Sequence, residues 1–112
     1  LDVLVICSES IVPLAIVDCF PIGILEMTDG GSKDAKIIAV CKNDPVFNSF
    51  TDIKNIPDHI LQEIKHFFVV YKELEGKKPV VDQIHGRNKA MEVIKACIDA
   101  YIERFGDGSK YY

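Results

Sequence analysis

The 112-residue sequence has no run of about 18 consecutive apolar residues, so no membrane-spanning helix is predicted. Its longest apolar stretch, 11–27, is interrupted by Pro13, Asp18 and Pro21. Tryptophan is absent. Basic charge is in the minority, with 13 Lys+Arg against 17 Asp+Glu and a formal charge of −4, which disfavours general nucleic-acid binding and leaves room for a cation site. The four cysteines form no C-x-x-C pair, and none has a histidine at zinc-ligand spacing. Cys7, Cys19, Cys41 and Cys97 each lie among apolar neighbours and read as buried free thiols in a reducing compartment. Neither G-x-x-x-x-G-K-[ST] nor G-x-S-x-G occurs, which removes the P-loop and the nucleophile elbow. No secretory signal or transit peptide is recognisable.

What is present is ordinary for a globular domain. Apolar residues make up 48% and charged residues 27%, too apolar for a disordered chain. The chain opens at Leu1 inside the apolar run Leu1-Asp2-Val3-Leu4-Val5-Ile6, with no polar lead-in. It is therefore read as a piece of a longer protein, a barrel or sheet missing its first strands.

The first half reads as strands. Val3 to Cys7 is rich in β-branched residues. Leu14 to Met27 reads as a strand with a bend or bulge at Pro21 and Gly23. Ala35 to Cys41 is a third strand, joined to the second by a long-tipped hairpin through Gly30-Gly31. Residues 43–56 read as an ordered loop. The second half reads as helices. Ile60, Leu61, Ile64, Phe67, Phe68, Tyr71 and Leu74 make a one-sided stripe, with Pro57 in the first turn and Gly76 at the end. Val80-Val81 is a short strand. Ala90, Val93, Ile94, Cys97, Ile98, Tyr101, Ile102 and Phe105 form the cleanest helical period, closed by Gly106. The expected fold is α+β, strands first and helices after. Residues 1–106 form one domain and residues 107–112 a flexible tail.

Chemistry concentrates in Asp29-Gly30-Gly31-Ser32-Lys33-Asp34-Ala35-Lys36. Asp34 and Lys36, two apart on a strand, share a face, and Asp29 lies across the glycine turn. Two carboxylates and an ammonium suit a divalent cation and a phosphate, since Mg²⁺ takes one or two carboxylates and completes its shell with water and phosphate oxygens. Read from composition alone, the same segment is a solvated hairpin tip. Asp2 shares a strand face with Leu4 and Ile6, which favours a partner or metal unless it merely sits near an exposed end. The Tyr71 hydroxyl on the apolar stripe needs a partner, and a phosphate oxygen would serve. Lys72 suits either a phosphate or the helix C-terminus. His85 reads as a loop or helix-start residue.

These residues also carry a resemblance. Pro21-Ile22-Gly23, Met27-Thr28-Asp29, Lys33 to Val40, Asp44-Pro45 and His66 to Gly76 closely resemble, in order and separation, soluble inorganic pyrophosphatases of the family I type. The likeness runs from Asp2 to about Phe105. Of the family's acidic motif D-[SGDN]-D-P-x-D-V, only the tail is present, as Leu1-Asp2-Val3. The resemblance implies a partial closed, OB-like β-barrel of short strands followed by two amphipathic helices. It also implies Mg²⁺-dependent hydrolysis of inorganic diphosphate to two phosphates. Asp2, Asp29 and Asp34 match metal-binding positions, and Lys36, Tyr71 and Lys72 match phosphate-binding ones. The general-base carboxylate is expected upstream of Leu1, so this chain alone is expected to be inactive or weakly active. A cytoplasmic homo-oligomer with no nucleic-acid or membrane partner completes the expectation, against the alternatives of a non-enzymatic OB-like binding module or an assembly remnant. Two departures stand out. Gly30 occupies a position where some members have an acidic residue, and Phe20 one where many have arginine.

Overall fold

The computed structural model describes residues 1–76 and 80–106, except for the side chains of Asp29, Val80 and Asp82; the expected tail at 107–112 lies outside the described residues. The elements are β1 (Asp2–Ile6), β2 (Cys19–Asp29), β3 (Ser32–Cys41), a 3₁₀ turn (Ile53–Asn55), α1 (Asp58–Leu74), β4 (Val80–Gly86) and α2 (Arg87–Phe105). They build a mixed four-stranded sheet of order β1-β3-β2-β4, with β1 parallel to β3 and both other pairings antiparallel.

The β2–β3 hairpin is tighter than expected. Asp29 pairs with Ser32, so only Gly30 and Gly31 form the turn. Their φ values of 59° and 84° are left-handed, as a two-residue hairpin turn matching the strand twist requires. The strand expected from Leu14 begins instead at Cys19. Its partner β3 ends at Cys41, opposite Cys19, so residues before Asp18 have no ladder partner and Leu14 and Ile16 stay exposed. The expected bulge is present, as a register shift between Pro21 and Gly23. It flips the alternation, so that Ile22 packs on one face of the sheet and Ile24 on the other.

Each face carries one helix. α1 lays Ile64 and Phe68 over Ile22, Leu25, Met27, Ile38 and Val40. Ala90 of α2, with Val93 and Ile94 beside it, packs on Ile24 and Ile37. Pro57 is the N-cap of α1, just outside the first turn, and Gly76 at φ 76° follows the last turn. Gly106, at φ 85°, closes α2.

Two expectations need correction. The helices do not follow all the strands, because β4 lies between them. It is also longer than Val80-Val81, because it pairs with β2 from Thr28 back to Gly23 and so runs on to Gly86, which puts His85 in a strand. The described strands form an open sheet with β1 and β4 as edges, an α+β arrangement in which the four strands do not close on one another. The cysteines are less covered than their apolar neighbours suggested. Cys7, Cys19 and Cys41 are half-buried, and Cys97 is exposed because the later part of α2 leaves the sheet.

Candidate functional site

The α1-facing side of the sheet turns from apolar to charged at the hairpin end. In the β1–β3 register Asp2 stands opposite Lys36, one step before Leu4 opposite Ile38. Period-2 alternation therefore puts Asp34 and Lys36 on the face that carries Ile38 and Val40 into the core. Lys36 Nζ donates to Asp2 Oδ2 at 2.5 Å and reaches Asp34 Oδ2 at 3.1 Å. Lys72, in the last turn of α1, brings a second ammonium to Asp34 Oδ2 at 3.6 Å and lies 3.9 Å from Glu75. The lysines are the covered members, with side chains 8% and 12% exposed, whereas Asp2 is 73% exposed. Phe68 backs the cluster, its ring centroid 5.9 Å from Lys36 Nζ.

Burial alone would lower the Lys36 pKa, but its hydrogen bonds to Asp2 and Asp34 outweigh that and raise it. The same hydrogen bond, with the charge behind it, holds the Asp2 carboxyl below its ordinary value. Lys36 is thus a fixed cation and Asp2 a fixed anion at neutral pH.

The structure brings Asp2, Asp34, Lys36 and Lys72 together. Asp29 ends β2 opposite Ser32, two positions along from the Met27–Asp34 pair; its side chain lies outside the described atoms. Tyr71 is half-exposed, with its ring stacked on Phe67 at 6.0 Å between centroids. A hollow of about 80 Å³ lined by Glu26, Met27, Lys33, Asp34 and Ala35 adjoins the cluster. Among the described residues, no three His, Cys, Asp or Glu side chains converge as a ready-made cation site. Asp2 and Asp34 are hard oxygen donors of the kind Mg²⁺ takes from protein, and here both meet the Lys36 ammonium. Sequence reasoning missed the direct Asp2–Lys36 pairing and the backing ring of Phe68. Both depend on register and helix placement, which no local pattern encodes. Phe20, the second departure, is 43% exposed and lies 6.0 Å from the Lys42 ammonium.

A family model described as inorganic pyrophosphatase matches residues 1–102. The chain is 44% identical over 105 residues to soluble inorganic pyrophosphatase 2 of Chlamydomonas reinhardtii, covering 94% of this chain and 55% of that protein. It is 45% identical over 103 residues to soluble inorganic pyrophosphatase 3 of Arabidopsis thaliana, covering 92% and 48%. Among solved structures, the inorganic pyrophosphatase of Thermus thermophilus superposes with a TM-score of 0.82 at 36% identity, covering 88% of this chain and 58% of that one. The chain spans about half the length of the curated relatives it matches. A model match over nearly the whole chain and a fold shared with solved relatives lead to one conclusion: the chain belongs to the inorganic pyrophosphatase family.

Proposed function

We propose that this chain supplies part of the diphosphate site of a Mg²⁺-dependent inorganic diphosphatase, whose reaction releases two phosphates from one diphosphate. The observation that carries this reading is Asp34 held between two lysine ammoniums, with Asp2 on the far side of Lys36. Lys36 and Lys72 would neutralise phosphate oxygens, and their covered stems fix where that positive charge stands. Tyr71, one residue before Lys72 and half-exposed, would donate its hydroxyl to a phosphate oxygen. Asp2, Asp29 and Asp34 would hold the metal. Bound Mg²⁺ would offset phosphate charge and lower the pKa of an attacking water.

On this reading the chain alone turns over slowly or not at all, since the carboxylate that accepts the proton of the attacking water would stand outside this chain. A barrel completed by further strands on the outer edge of β1 belongs to the same proposal, supported by exposed Leu1 and Val3 along that edge. So do self-association, a cytoplasmic location in keeping with four free thiols, and the absence of nucleic-acid or membrane partners.

Calorimetric titration with diphosphate, with and without Mg²⁺, tests the binding claim. Mg²⁺-dependent binding is expected, weakened roughly ten- to a hundredfold by Lys36→Met or Lys72→Met, as loss of a charged hydrogen-bond partner implies. Binding unchanged by either substitution would sink the site. A phosphate-release assay tests the rest, because robust turnover by the chain alone would remove the need for a carboxylate elsewhere.

A further inference from the structure

Three cysteines gather at the end of the sheet away from Lys36: Cys19 begins β2, Cys41 ends β3, and Cys7 directly follows β1. Ile6 of β1 is opposite Val40 of β3, and one step further the same parallel register reaches Cys7 and Cys41. Cys41 is in turn directly opposite Cys19, the first residue of β2. Neighbouring strands run about 4.8 Å apart, inside the Cα separation of roughly 4.4–6.8 Å that a disulfide spans. The three thiols are not equivalent. Cys19 Sγ lies 3.6 Å from the Val17 carbonyl oxygen, to which it donates. Cys7 and Cys41 line one cleft of about 260 Å³, together with Ser8, Glu9, Asn43 and Asp44. Both are half-buried, so a small oxidant entering the cleft meets two thiols at once.

We propose that Cys7 and Cys41 are a redox modification site that closes to a disulfide when a hydroperoxide enters this cleft. The Cys41 sulfur attacks the peroxide O–O bond, breaking it. This forms a sulfenic acid on Cys41 and releases an alcohol, or water when the oxidant is hydrogen peroxide. The Cys7 sulfur then attacks the Cys41 sulfur. The S–S bond forms as the sulfenic hydroxyl leaves with the Cys7 proton as water. Two thiols are oxidised by two electrons and one hydroperoxide is reduced by two. Burial pushes the Cys7 thiol up to about 11 and the neighbouring Cys41 adds to the shift, so Cys7 carries its proton at neutral pH and takes the second role, giving that proton to the leaving hydroxyl. The bond would fasten the edge strand β1 to β3, the two strands that bring Asp2 opposite Lys36. The site stands apart from the diphosphate reading and does not depend on it.

Hydrogen peroxide applied to the reduced chain, followed by thiol alkylation and non-reducing peptide mapping, tests the proposal. Two of the four thiols should disappear, and one cross-linked species joining the Cys7 and Cys41 peptides should form and be reversed by dithiothreitol. The link should persist in Cys19→Ser and Cys97→Ser and vanish in Cys7→Ser and Cys41→Ser, with circular dichroism checking that each variant folds. A dominant Cys19–Cys41 link would overturn the assignment. So would a link between chains through Cys97, or four thiols surviving peroxide that oxidises a free cysteine peptide.

Discussion

Asp44 shows what one side chain can organise. Its Oδ2 accepts from the Ser8 backbone N–H at 2.6 Å and the Ser8 hydroxyl at 2.8 Å, while Oδ1 accepts from the N–H groups of Val46 and Phe47 at 2.8 and 3.3 Å. These bonds, the Ser8 N–H foremost, hold its carboxyl below the ordinary range despite an opposing effect of burial. A depressed folded-state pKa contributes stability that is complete above the unfolded value, about 3.9, and is lost as pH falls through the folded value. Thermal melts from pH 7 to pH 3 should therefore show an acid-side loss that Asp44→Asn reduces, with lower stability at pH 7. An unchanged acid limb in the variant would contradict this. Lys36 works with the opposite sign. Its raised pKa contributes stability below about 10.4 that is lost as pH rises through the higher folded value, so Lys36→Met should flatten the alkaline limb.

At the scale of elements, close backbone approach decides which glycines can change. A Cβ on Gly23 would lie 2.8 Å from the His85 carbonyl oxygen and 2.9 Å from Ile53 Cβ, where the bulge of β2 meets β4 and the 3₁₀ turn. Neither neighbour can retreat without moving backbone, so Gly23→Ala should destabilise by about 1–3 kcal/mol in urea unfolding. A Cβ on Gly86 would meet Asp52 Oδ1 at 2.9 Å, the end of a side chain that can rotate away. Gly86→Ala should therefore cost clearly less than Gly23→Ala, and equal losses would refute the distinction. At the hairpin, Gly31 has open space around it but a φ of 84°. Gly31→Val should destabilise through backbone strain alone.

Across the whole molecule, the radius of gyration is 15.2 Å, against about 13 Å for a compact chain of roughly this length. The excess fits a second helix that outruns its sheet. Ala90 is fully buried, but Met91, Ile98, Tyr101, Ile102 and Phe105 are 42–61% exposed, and the Tyr101 and Phe105 rings pack on each other 4.9 Å apart. The outer edge of β1 is likewise open, with Val3 51% exposed. Exposed apolar edges and faces drive association. Sedimentation should show concentration-dependent self-association that Val3→Lys and Ile98→Lys together reduce, and a chain monomeric at high concentration would refute it.

The sequence by itself determined the local pieces. Periodicity placed α1 and α2 to within a few residues, adjacent glycines marked the hairpin, and Pro21 with Gly23 announced the bulge, because each depends on neighbours along the chain. The charged segment from Asp34 to Lys36 was legible for the same reason. Tertiary structure alone decided that Asp2, distant in sequence, stands opposite Lys36, and that Lys72 descends from a helix onto Asp34. It also decided that β4 runs on to Gly86 against β2 and that the clean stripe of α2 is only half used. A repeating pattern states which face is apolar; only the assembled sheet states what that face meets and where its partners run out.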